Sequence, residues 1–551
     1  MNYIKNFIGT IILSILIFGT CFSQETGSRE YHIKSRTLSE YYHKRIPEKV
    51  LYSEKPIGNT GLHSMPWMLN AWSPYKNDLT ALVDSINTID HTAWINTAWA
   101  VMEMKTGMVP NHSINALAGA LLEFWENPKE NYKNIGDLET FIFEKYGEEV
   151  GNYLRIARTQ PSMKQQMAIR PALLKLIIEL DDFSQILLEL ADRSKEAVMP
   201  GYTHIRHAQP TTFGHYILSV FDPIQRCIKT LEDGYRAMSL NELGCGALAG
   251  TSWPIDRDMV SHYIACEGLI ENTNDAVSQT DGYVSLVAGL CNISAILSRL
   301  GVDLDYWSTR EYDFIEFEIG AGSFMMPNKR SNQTYFESTY NHSATMVGYL
   351  TEVATMGIRI PHGDMNAMAY KFAPPTLQAI NSVKGMTNQF LYHFPGMELH
   401  EEVMLATVRE GSSCSSELAN EISRRFTIDF RKAHEIVNIF IHKSAEQKSI
   451  ATNFNEANIE TLQDAAKQVV GHELDLSQSE LTMLMDPVHF VEVTNSKGGV
   501  APSEVSRMIT ERWKQLDSAR KHHIDLVKNE ENAQQSMMDD LRELYNSSLK
   551  E

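Results

Sequence analysis

The chain has 551 residues, of which 43% are apolar, with 31 glycines and 19 prolines. It is too long for one small core and too apolar for disorder, so two or three domains or one extended helical scaffold are expected. Lysines and arginines number 49 against 69 aspartates and glutamates, a net charge of −20. With no local basic face, that charge excludes nucleic acid as a partner.

The opening "MNYIKNFIGTIILSILIFGTCFSQ" reads as an export signal over residues 1–23. Lys5 supplies the positive start, Phe7 to Phe18 the apolar run, and Cys21 and Ser23 the small residues before cleavage. The run is short of the roughly 20 residues a membrane span needs, and no later segment reads as a span. A secreted or periplasmic protein is therefore expected, with a lipid anchor on Cys21 as the lesser alternative. Behind the signal, residues 24–160 are expected to form an N-terminal helical domain whose polar first part wraps loosely over the body. Cys227, Cys245, Cys266, Cys291 and Cys414 remain after cleavage, an odd set without metal-ligand spacing, and are expected as free thiols.

From Ile169 the apolar positions step by four and three through Leu173, Leu176, Leu180, Phe183, Leu187 and Leu190. That period predicts one long helix between Pro171 and Pro200. Similar segments cover 223–244, 281–308 and 335–360, while strand alternation and hairpin signals are nearly absent. These helices predict an all-α central bundle over residues 161–400. Shorter helical segments predict a C-terminal helical domain over 401–551.

The Gly/Pro-rich breaks hold most of the chemical side chains. In "PGYTHIRHAQPTTFG", Thr203 and His204 follow the turn out of the long helix, and Gln209-Pro210 prepare the next one. In "GSFMMPNKRSN", residues 322–332, a serine lies six residues before a lysine. A serine hydroxyl acts as a base only where backbone N–H groups and a nearby cation favour its oxyanion. Gly322 allows close backbone approach, Lys329 supplies the cation, and Met325 and Met326 can exclude water when the loop closes over a ligand.

Together these stretches resemble the argininosuccinate lyase branch of the fumarase/aspartase superfamily. The loop pattern G-S-S-x-M-P-x-K-x-N is similar to Gly322-Ser323-Phe324-Met325-Met326-Pro327-Asn328-Lys329, and one inserted residue near Ser331 restores Asn332 and Glu337. "PGYTHIRHAQP", "LGCGALAGTSWPIDRD", "FRKAHEIV" and "SKGGVAPSEV" resemble further segments of that branch. The resemblance implies an all-α fold with long helices shared in a homotetramer, and β-elimination from a small carboxylate substrate to give fumarate or a related unsaturated acid. It implies Ser323 as general base, Lys329 and Asn332 on the substrate carboxylate, His204 with Thr203 at the leaving group, and Glu337 orienting His204. No cofactor and no metal are expected.

The resemblance weakens where relatives recognise substrate. Their G-R-S-R-N-D motif is matched only by Arg158 and Thr159, followed by the uncharged Gln160. Their S-x-R-D becomes Ser278-Gln279-Thr280-Asp281, and their Y-N-R-D-L-Q-x-D-K keeps only Lys371. Each lost charged hydrogen bond can cost about 1.5 to 3 kcal/mol, so an altered substrate pocket is expected, with Gln209 among the remaining polar contacts. A lyase acting on an N-substituted aspartate, one acting on a betaine-type amino acid, and a non-catalytic homologue of the same fold all stay open.

Overall fold

The computed structural model describes residues 28–32, 49–53, 91–126, 135–158, 163–317, 334–358, 360–365, 371–446 and 457–547. The export-type N-terminus, Thr159 and Gln160, and the loop with Ser323, Lys329 and Asn332 lie outside the described residues. Helices dominate, and among the described residues strands occur only as four two-stranded pairs.

The central helix runs from Met163 to Arg193. The seven positions predicted to form its seam, Ile169 to Leu190, are all fully buried or nearly so. Intervening Leu174, Ile177, Asp181 and Asp182 are buried too, so this is a helix enclosed on every side rather than an amphipathic stripe. It begins upstream of Pro171, which lies inside it instead of opening it.

Two neighbours flank it. Phe213–Met238 runs antiparallel to it: the Gly214 N–H donates to Ser194 O (3.0 Å), and Gln225 Nε2 donates to Ser184 Oγ (2.7 Å). Ala373–His393 runs parallel: the Ala373 N–H donates to Gln165 Oε1 (2.8 Å), Lys384 pairs with Glu179 (3.4 Å), and Phe390 meets Phe183. Asp281–Trp307 and Thr334–Gly357 complete the bundle and pack on each other. By length and composition Asp281–Trp307 is apolar enough to cross a bilayer, contrary to the sequence expectation. Its Leu286, Leu290, Ile293 and Leu297 are buried in the bundle core.

The last helix, Pro502–Ser547, is a single 46-residue element, where only shorter helical segments were expected. Its Val505, Leu516, Val527 and Met537 join the bundle core, as do Trp94 and Trp99 of the helix His91–Lys105. A separate core of Leu418, Ile436, Phe440, Leu462 and Leu481 holds the short helices between 415 and 490. The five cysteines after residue 24 are all free thiols in the structure.

Candidate active site

The stretch around His204 is a β-hairpin that sequence reasoning missed. Val198–Thr203 pairs antiparallel with Arg206–Thr212, and His204 and Ile205 make the two-residue turn. Both turn residues adopt left-handed backbone, with φ of 51° and 60°. Such turns ordinarily take Asn-Gly or Asp-Gly. A β-branched residue there is strained, and strain of this kind collects at functional sites. The turn presents an exposed His204 beside an Ile205 that is 86% exposed.

Aromatic contacts brace the hairpin from below. The Tyr202 ring meets His207 at 5.2 Å and Tyr312 at 6.1 Å, and Tyr312 meets Tyr306 and Phe314. Gln209 Nε2 donates to Ser416 Oγ (3.2 Å), so this residue ties the hairpin to the 415–490 unit. Thr203 is exposed next to the turn.

Glu337 belongs to the same end of the bundle, on the first turn of Thr334–Gly357. It is exposed, and its charge falls on Asp305 and Tyr340, which are hydrogen-bonded to each other. Burial, then this neighbouring negative charge, pushes the Asp305 carboxyl up to about 6 against the opposing Tyr340 hydrogen bond. Within the chain no hydrogen bond or ion pair joins Glu337 to His204, so the expected orienting pair is not made there.

The other candidates lie at the far end. Lys371 is exposed, two residues before the helix Ala373–His393, beside the first turn of the central helix. Gln279 and Thr280 precede Asp281–Trp307 at that same end, where a side chain at Gly357 would meet Thr280 at 3.3 Å. Arg158 leads toward the central helix through a strained turn, with Arg155 at φ 67° and Ala157 at φ 61°. Its guanidinium donates to Asn96 and lies 5.6 Å from the Trp99 ring. Arg158 Nε and Nη1 are buried with no hydrogen-bond partner. Burial lowers this guanidinium to about 9 against the pull of Glu103, and raises Glu103 to about 8.

The central helix has 31 residues, so the two ends are separated by about 45 Å. One chain therefore holds two groups of candidate residues that cannot reach one substrate.

Sequence reasoning also missed a set of buried charges joining the last helix to the bundle. His523 binds Asp181 through Nδ1 (2.6 Å) and Glu232 through Nε2 (2.9 Å). Arg520 pairs with Asp182, and Arg170 holds Glu530 (3.0 Å), which also accepts from the Tyr235 hydroxyl (2.9 Å). Burial alone would lower the His523 pKa, but the Asp181 and Glu232 carboxylates outweigh it and hold it up to about 9. These pairs fix the last helix against the scaffold that carries both ends.

A family model described as a lyase matches residues 158–348, which spans Arg158, His204, Ser323 and Glu337. The argininosuccinate lyase of Methanosarcina barkeri is 27% identical over 439 residues, covering 77% of this chain and 87% of the relative. That of Methanothrix thermoacetophila is 28% identical over 462 residues, covering 80% and 91%. The chain is similar to argininosuccinate lyases over about three quarters of its length or more. The fold agrees. A variant of EDDS lyase with bound fumarate superposes with a TM-score of 0.75 at 23% identity, over 86% of this chain and 94% of that one. A fumarate lyase from Mesorhizobium sp. BNC1 gives 0.61 at 17% identity, over 78% and 97%.

Proposed function

We propose that this protein catalyses β-elimination from an N-substituted aspartate, breaking a C–N bond and releasing fumarate. The observation that carries the reading is the division of its candidate residues between two ends of one bundle. Parallel and antiparallel neighbours in a homotetramer would bring the His204 end of one chain to the Arg158–Lys371 end of another. The likeness to argininosuccinate lyases and to a fumarate-bound EDDS lyase supports both the chemistry and the substrate class.

In this reading Ser323 Oγ, as an alkoxide favoured by Lys329 and backbone N–H groups, takes the Cβ proton. The freed electron pair forms the double bond as the Cα–N bond breaks, and the leaving amine takes a proton from His204. A carbon acid beside a carboxylate is very weak, so the cost lies in charge gathering on the carboxylate oxygens. Lys329 and Asn332 meet that charge, while Thr203, Arg158 and Lys371 hold the rest of the substrate with Thr159 and Gln160. The uncharged residues in place of relatives' arginines favour a substrate other than argininosuccinate. The apolar run after Lys5 supports a reaction outside the cytosol.

The test is absorbance near 240 nm, where fumarate appears, across a panel of N-substituted aspartates and argininosuccinate. The reading expects turnover of at least one, abolished by Ser323→Ala. Full activity in Ser323→Ala removes the base assignment, and silence across the panel removes the lyase.

A further inference from the structure

Two buried polar side chains at the Lys371 end of the bundle have no hydrogen-bond partner among the described residues. Tyr283, on the first turn of Asp281–Trp307, is 2% exposed and its hydroxyl is unpaired. Gln166, on the first turn of the central helix, is 0% exposed with both amide atoms unpaired. Leaving such groups buried and unmatched costs about 1 to 3 kcal/mol each, so a fold that keeps them needs a reason.

Their positions supply one. Tyr283 lays its ring on Phe372 at 5.0 Å, the residue after Lys371. It follows Gln279 by four residues, and Gln279 Nε2 is also buried without a partner among the described residues. Gln166 falls about five turns ahead of Ser184, on the same helix face. Gln165, beside Gln166 in the chain, accepts from the Ala373 N–H (2.8 Å), the residue after Phe372, so Gln166 and Tyr283 both border the start of Ala373–His393. Glu242 is 4% exposed and close to Tyr283: burial first, then the Glu242 charge, raises the Tyr283 hydroxyl well above its ordinary pKa.

We propose that Tyr283 and Gln166 select the substrate's leaving amine, favouring one with a second N–H or O–H group. A phenol and an amide both donate and accept, and the adjacent Glu242 favours a ligand that donates. The inference rests on the lyase reading and adds two residues to it. A site built to hydrogen-bond a hydroxyl discriminates against the analogue that lacks it, because its own polar groups are then left unpaired.

The reaction run backwards tests this. An amine adds across fumarate, its nitrogen bonding to one alkene carbon while a proton goes to the other, and fumarate absorbance falls. The probes are 2-aminoethanol and propylamine, which differ by a hydroxyl in place of a methyl group. Wild type is expected to favour 2-aminoethanol in kcat/KM by about tenfold, and Tyr283→Phe and Gln166→Met to erase most of that ratio. Without ligand, Tyr283→Phe is expected to raise the melting temperature, since it deletes an unpaired buried hydroxyl. Equal wild-type rates with the two amines overturn the selection, as does a ratio that survives both substitutions. A lowered melting temperature with both rates falling in common means that an ordered water or a structural contact holds these groups, and overturns it too. No fumarate consumption with either amine overturns the selection, while the lyase reading stands or falls on the aspartate panel.

Discussion

His204 and Lys371 lie at opposite ends of one helix bundle, separated by about the 45 Å length of the central helix. Side-chain motion covers a few ångströms and the helix between them is largely buried, so the gap cannot close within a chain. If the two residues serve one reaction, they do so from different chains. The fold thus turns a question about residues into one about assembly.

The buried histidine gives a pH dependence of known sign. His523 has a folded pKa of about 9 against an ordinary 6.5. Its contribution to stability is full below about pH 6.5, falls as pH rises, and is gone above about 9, an effect on the order of 3 kcal/mol. Asp181, Asp182, Glu232, Arg520, His522 and Lys229 surround it, and against its own burial the hydrogen bond and charge of His523 hold the Glu232 carboxyl below its ordinary pKa. Denaturant unfolding of wild type from pH 6 to 9.5 should show the decline, and His523→Gln should flatten it. An unchanged slope in that variant rules out His523 as its source.

The Asp182–Arg520 pair should behave as a buried ion pair. Arg520→Met leaves Asp182 buried without its cation and should cost about 3–5 kcal/mol, while Asp182→Leu combined with Arg520→Met should recover most of that loss. Unfolding midpoints of the two singles and the double check the coupling. Additive losses would show that the pair does not act as a unit.

The hairpin turn predicts a stabilising substitution. Ile205 pays for left-handed backbone without burying its side chain, a penalty of about 1–2 kcal/mol that Asn largely avoids. Ile205→Asn should stabilise the protein by about 1 kcal/mol in thermal unfolding. A loss of similar size would mean that a neighbouring chain packs this side chain.

The helices were legible because their apolar period is local: residues 281–308 and 415–426 need no distant information to be read as helical. The hairpin was not, because His204-Ile205 carries none of the usual turn chemistry and its left-handed geometry is imposed by the strands and the tyrosines beneath. Nothing local marks Asp181, Asp182 and Arg170 as buried, since their partners His523, Arg520 and Glu530 lie more than 300 residues away in the chain. The candidate residues themselves were readable through motif resemblance. Their division between two ends was not, because it depends on which helices run parallel.

Restoration of activity between defective chains tests the shared site most directly. His204→Asn disables one end and Lys371→Met the other, and each variant expressed alone should be nearly inactive on a substrate that wild type consumes. Co-expressed in one cell, they should form mixed assemblies in which some sites draw His204 from one chain and Lys371 from the other, so that clear activity returns. Mixed assemblies as inactive as their parents, with a wild type that turns over as a monomer, would contradict the account.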